Sequence, residues 1–253
     1  MAKKFFVAAL LVFIFTACVF ADFRKDEDPV TAILCDTAYT LRGGEWNIDL
    51  TGPVSYGIID GLQLWTDLYF YFAQALNLQA KWNVVPDSGS MPALTIGGTI
   101  GNASYKQTIN STDVKVNLLF WNLSGYVSKK FNDNLWLSAS YTYNKFNITG
   151  QSAGNSTSLE DTLKTITGSD DPLGVSNASA SIVYQISPGA RLCLEYLAVI
   201  DTLDNNKLNV SSSINPGVTW AFGDSFRLKL FVMTFFGSDT HYFPCVNLAW
   251  KIK

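Results

Sequence analysis

Residues 218–236 constrain the fold more than any other stretch, because two alternating arms meet there at a short polar turn. On the first arm Val218, Trp220 and Phe222 alternate with Thr219 and Ala221; on the second, Phe226, Leu228, Leu230 and Val232 alternate with Arg227, Lys229 and Phe231. A period of two is the mark of a strand with two unlike faces, and Gly223, Asp224 and Ser225 supply the small polar residues of a tight reversal. The stretch reads as a β-hairpin with a wide aromatic face. Looser versions lie at 56–64, 130–137 and 185–194, each joined by a short turn of Gly, Asn, Asp, Ser or Pro.

What surrounds the hairpins decides between a soluble sandwich and a membrane barrel. Residues 1–21 read as a cleaved secretory signal: Lys3 and Lys4 open it, its apolar core over 5–15 is short for a bilayer span, and small residues precede position 22. The remainder is mildly acidic, which excludes a strongly basic nucleic-acid binder. Cys35, Cys193 and Cys245 are too few and too scattered to organise the fold by disulfides. Charged residues make up only 15% of the chain while aromatics reach 14%, and no apolar run beyond the signal is long enough for a membrane helix. An exported, aromatic-rich, alternating and charge-poor chain is expected to form an all-β fold, a transmembrane antiparallel up-and-down β-barrel in the bacterial outer membrane.

Taken in order, 22–29 reads as a charged periplasmic leader and 30–253 as the barrel. Strands are expected at 30–41, 45–54, 62–72, 76–84, 93–101, 114–130, 135–148, 174–186, 190–200, 208–222, 226–236 and 242–252, about twelve in all. The short turns face the periplasm, and the polar stretches 102–113, 149–172 and 201–207 form outer loops. Trp46, Trp82, Tyr184, Trp220 and Trp250 are candidates for the interfacial girdles. Thr37-Ala38-Tyr39-Thr40-Leu41, Gly44-Glu45-Trp46, Tyr56-Gly57-Ile58 with Asp60 and Leu62, and Asn77-Leu78 before Lys81-Trp82 resemble the opening of a broad group of uncharacterised bacterial outer-membrane barrels. That resemblance, confined to the first third of the chain, implies the fold and compartment; some members of the group are described as transporters.

No phosphate loop, zinc spacing or nucleophile elbow is present, so neither catalysis nor a cofactor is expected. His241, the only histidine, reads as a solvated residue at the outer rim. Strand parity instead turns Lys81, Lys115, Arg191, Arg227, Lys229 and Lys251 into the lumen, against Asp49, Asp67 and Glu195. These nine are the candidate pore-lining residues. The functional expectation is a channel or facilitator for passive movement of small solutes, with a mild anion preference set by the bases at the inner mouth. The alternative is a closed barrel serving as a surface adhesin or anchor through 149–172. Bulky inward Trp65, Tyr69, Tyr71, Trp136, Phe231 and Phe235 favour it, as would pairing of lumen bases with lumen acids, Arg191 with Glu195 for instance. Expected partners are outer-membrane lipid and the barrel assembly machinery, with no nucleic acid.

Overall fold

A computed structural model describes residues 23, 27–32, 34–50, 52–72, 75–109, 112–152, 174–204, 207–236 and 240–252. The signal expected at 1–21 and residues 153–173 of the expected long loop lie outside them, as do the side chains of 105–116, 148–152, 201–204 and 207–209. The strands are β1 (Trp46–Asp49), β2 (Pro53–Ile59), β3 (Leu62–Asp67), β4 (Ala75–Val85), β5 (Ala93–Ile109), β6 (Thr112–Asn132), β7 (Leu135–Ser152), β8 (Gly174–Ser187), β9 (Ala190–Asp204), β10 (Lys207–Phe222), β11 (Phe226–Phe236) and β12 (His241–Ile252). Each pairs antiparallel with its chain neighbours, and β1 closes on β12, giving a closed twelve-stranded up-and-down barrel.

The two faces of the wall follow from the alternation. On β4, Leu76, Leu78, Trp82 and Val84 are 47–61% exposed while Asn77 and Lys81 between them are buried. A soluble protein would invert that arrangement. The outward apolar set continues through Ile96 and Ile100, Leu119 and Leu123, Leu192 and Leu194, and Val246, forming a belt suited to hydrocarbon. The β2–β3, β4–β5, β6–β7, β8–β9 and β10–β11 connections and the end of β12 lie at one mouth, called here the terminal mouth. Trp46, Trp82, Tyr184 and Trp250 ring that end on the exposed face, whereas Trp220 is only 4% exposed and is no girdle residue.

Three expectations about elements are corrected. The described residues of 30–41 form no strand and hold a single isolated bridge, Thr31 to Asp36, and the stretch expected at 45–54 divides instead into β1 and β2. The strand count survives because one loss offsets one split. Next, β3 ends at Asp67, and Leu68–Phe72 forms a one-turn helix, α1, where strand was expected. The Asn77 side chain replaces the ladder there, accepting from the Asp67 backbone N–H at 2.8 Å and donating to its carbonyl at 3.0 Å. Finally, much of the expected loops 102–113 and 201–207 is strand, since β5 runs to Ile109, β6 begins at Thr112 and β9 runs to Asp204. Backbone pairing needs no apolar face, so these strands continue beyond the belt with polar sequences.

Wall height is uneven. The consecutive strands β1, β2 and β3 hold four, seven and six residues, whereas β6 holds 21.

Candidate functional site: the occupied lumen

The interior is filled by the segment that precedes β1. It enters at the terminal mouth, where the Phe23 N–H donates to the Pro188 carbonyl in the β8–β9 turn. Within the lumen it reverses tightly: the Ala32 N–H donates to the Cys35 carbonyl and the Thr37 N–H to the Val30 carbonyl, both at 3.0 Å. The returning limb leaves by the same mouth, with the Gly43 N–H donating to Asp60 in the β2–β3 turn at 2.9 Å. The segment is an inner loop with both limbs at one end.

Its seat is made almost entirely by polar wall residues. At the tip, Glu195 on β9 accepts from the N–H groups of Leu34 and Cys35 at 3.0 and 2.8 Å with one carboxylate oxygen, while the other accepts from Asn215 at 3.0 Å. On the returning limb the Ala38 N–H donates to Ser128 at 2.7 Å, and its carbonyl accepts from Thr95 and Asn83 at 2.6 and 3.0 Å. The Leu41 N–H donates to Gln63 at 3.0 Å. The loop supplies small, fully covered residues at the contacts, Ala32, Thr37 and Ala38, and an apolar cluster joins Ala32, Ala38 and Tyr39 to Trp136, Val183, Cys193 and Phe231. Such close seating satisfies backbone groups that would otherwise be buried unpaired, at a cost of about 1–3 kcal/mol each.

Ion pairs gather at the terminal mouth. Glu27 accepts from Arg227 Nη2 at 2.7 Å on one oxygen and from Lys251 Nζ at 2.8 Å on the other, and its carbonyl accepts from Arg191. The Arg191 and Arg227 guanidinium carbons stand 3.9 and 5.1 Å from the centroid of the Phe23 ring. Burial alone would raise the Glu27 pKa, but Lys251 and Arg227 outweigh it and hold the group at about 2. Lys229 donates to Thr31 at 2.9 Å, and the Trp136 indole donates to Asp28 at 3.0 Å. Nearby, Tyr39 donates to Asp87 at 2.9 Å, and Asp87 also accepts from Lys129 at 2.7 Å. Burial opposes ionisation of Asp87, yet these donors and the Lys130 N–H bring its pKa below the ordinary carboxylate value.

The nine sequence-derived candidates thus fall into groups. Arg191, Arg227, Lys229 and Lys251 meet the incoming limb at the terminal mouth. Lys81 and Glu195, both fully buried, stand at mid-wall against the tip. The Lys81 ammonium lies 5.3 Å from the Tyr126 ring centroid, and its field works against burial, which raises the pKa of the tip residue Asp36. Asp49 ends the short β1 and lines the same small cavity as Glu27, Arg227, Lys229 and Lys251, whereas Asp67 ends β3 toward the far mouth, where Gln79 donates to it at 2.5 Å. The side chain of Lys115 lies outside the described residues. Arg191 bonds to Gln185 and Glu27 and not to Glu195. Of the bulky inward candidates, Trp65, Trp136 and Phe231 are buried inside, Tyr71 and Phe235 are exposed, and the side chain of Tyr69 lies outside the described residues. His241 opens β12 at the far mouth, exposed, and Cys35, Cys193 and Cys245 are free thiols.

Between the ion pairs and the wall remains a cavity of about 60 Å³, room for only a few waters. Beyond the tip the lumen reopens as a vestibule of about 280 Å³ with Leu34, Cys35 and Asp36 as its floor and Asn122, Ser124, Thr142 and Asn177 among its walls. Sequence reasoning missed the inner loop. The signal that would have found it was charge: four inward bases gather near one mouth, and Glu27 is an acid in the segment leading into that mouth.

No family model and no curated protein matches this sequence. Among solved structures, the translocator domain of the autotransporter NalP from Neisseria meningitidis is similar at 9% identity, covering 83% of this chain and 85% of that one, with a TM-score of 0.47. A loop L8 deletion mutant of OmpT, an outer membrane protein of Vibrio cholerae, is 11% identical over 81% of this chain and 62% of its own, with a TM-score of 0.44. The outer membrane channel DcaP of Acinetobacter baumannii is 13% identical over 92% of this chain and 70% of its own, with a TM-score of 0.35.

Proposed function

We propose that this chain is an outer-membrane channel for small solutes, held closed by its own inner loop, with the terminal mouth toward the periplasm. The observation that supports it is that the wall does not fill its own interior. Short inward residues such as Ser124, Ser128, Ser138, Ser181, Ser213 and Thr95 leave a passage wide enough for two peptide limbs. A barrel serving only as an anchor has no need of a polar passage, and would be more stable with inward side chains interdigitating from the wall.

Conductance across a planar bilayer tests the reading. The parent chain is expected to be mostly silent, and Glu195→Ala, which removes the acceptor at the loop tip, is expected to give discrete conducting steps. With the loop displaced, the four bases at the terminal mouth favour anions, so the reversal potential in a salt gradient should show mild anion preference, lost in Arg191→Ser with Arg227→Ser. Silence from parent and variant alike, with a folded barrel verified by heat-modifiable gel migration, would sink the channel. It would leave the anchor, which the buried inward rings of Trp65, Trp136 and Phe231 favour.

A further inference from the structure

We propose that Arg191, Arg227 and Lys251 form a binding site for small free carboxylates, and that Glu27 is its built-in occupant in the closed state. The role given to the site rests on the closed-channel reading; the binding itself does not.

The site is built. Arg191 and Arg227 are 4% and 3% exposed, and the Lys251 side chain is 13% exposed. Arg227 gives Nε and Nη2 to the Glu27 carboxylate and further Nη donors to the backbone carbonyls of Gly223, Asp224 and Phe226, and Arg191 Nε donates to Gln185. Among the described residues, therefore, no carboxylate of the wall bonds to either guanidinium. The negative charge in direct contact with Arg227 comes from Glu27, which the covalent chain can withdraw because it belongs to the loop and not to the wall.

Withdrawal creates an electrostatic problem with one cheap solution. Arg227 is buried and its one carboxylate contact among the described residues is Glu27, so withdrawal of Glu27 favours another anion in its place. The vacated position offers a guanidinium N–H and an ammonium to the two oxygens of one carboxylate, which is the geometry Glu27 itself adopts. A free carboxylate and the inner loop therefore compete for the same bases, and by linkage a carboxylate solute favours the displaced loop. Because Glu27 is tethered, its effective concentration is on the order of millimolar, so a free carboxylate acts in that range and above.

The test uses the full chain carrying Glu27→Ala, whose missing atoms acetate supplies, folded in detergent. The thermal midpoint of heat-modifiable migration and the fluorescence of Trp136, whose ring lies 4.9 Å from Arg191, are followed against sodium acetate and against sodium chloride at equal ionic strength. The expected result is a saturable rise in midpoint and a fluorescence change with acetate, neither seen with chloride, nor in Glu27→Ala combined with Arg227→Gln. Should Glu27→Ala not fold, Glu27→Gly, which leaves the same space open, replaces it with the fluorescence readout. An equal response to chloride, no response to acetate, or a response that survives loss of Arg227 overturns the site. Acetate binding alongside electrical silence would instead overturn only the channel.

Discussion

At the scale of single residues, the seating of the inner loop turns on two carboxylates with opposite placements, Glu27 on the loop and Glu195 on the wall. Glu27 has a pKa brought down from its ordinary 4.5 to about 2. A depressed carboxyl contributes stability above its free value, and that contribution is lost as pH falls from about 4.5 through about 2. The difference corresponds to about 3 kcal/mol favouring the seated loop at neutral pH. Acid titration of Trp136 fluorescence should therefore show a transition in that window, absent from Glu27→Gln. Glu195→Ala leaves the Leu34 and Cys35 N–H groups and the Asn215 amide without their acceptor, which should weaken the seat by about 2–5 kcal/mol. Urea titration of loop release, read by the same tryptophan, checks that value. Parity alone turned both Glu195 and its neighbours on the wall inward, so the lumen side of the site was legible in the sequence. Glu27 was not, because a lone acid in a charged leader carries no periodicity to mark where it docks.

At the scale of elements, the wall strands were readable because apolar and polar residues segregate to opposite faces with period two. Leu230 shows the consequence: it sits on the outward face of β11 between Val218 and Val246. Leu230→Arg should cost about 2–4 kcal/mol near the middle of the belt, and the inward Ser140→Arg much less, measured by unfolding in lipid vesicles. Equal penalties would reverse the assignment of faces. The failure at 30–41 has a physical origin too. A peptide packed inside a polar barrel covers some side chains and turns others to the wall, so its weak alternation resembles that of a half-buried strand. Close approach marks where that peptide passes. A methyl group added at Gly57 would run into the carbonyl oxygen of Arg42, so Gly57→Ala must push the returning limb off β2. It should destabilise the seat by about 1–3 kcal/mol, seen as a lower threshold for loop release with the barrel itself intact.

At the scale of the whole molecule, both limbs of the loop share one mouth, so the loop can leave without any wall strand unpairing and without threading a free end through the barrel. Opening is then expected to leave the β1–β12 seam closed: an engineered disulfide across Ile48 and Trp250, paired in register on the outward face, should lock the seam yet spare the conducting steps of Glu195→Ala. The uneven wall has a different reach, because it acts on the lipid. Strands of four to seven residues rise roughly 10–18 Å when tilted as barrel strands are, against an apolar band of about 25 Å. Along the arc of β1 to β3 the bilayer must thin toward exposed Leu50, Leu68 and Phe70, while around β5 to β10 it keeps its full depth. At fractions of a kcal/mol per ångström of mismatch, that asymmetry is expected to give the barrel a preferred tilt in the bilayer, its short arc leaning into the thinned side.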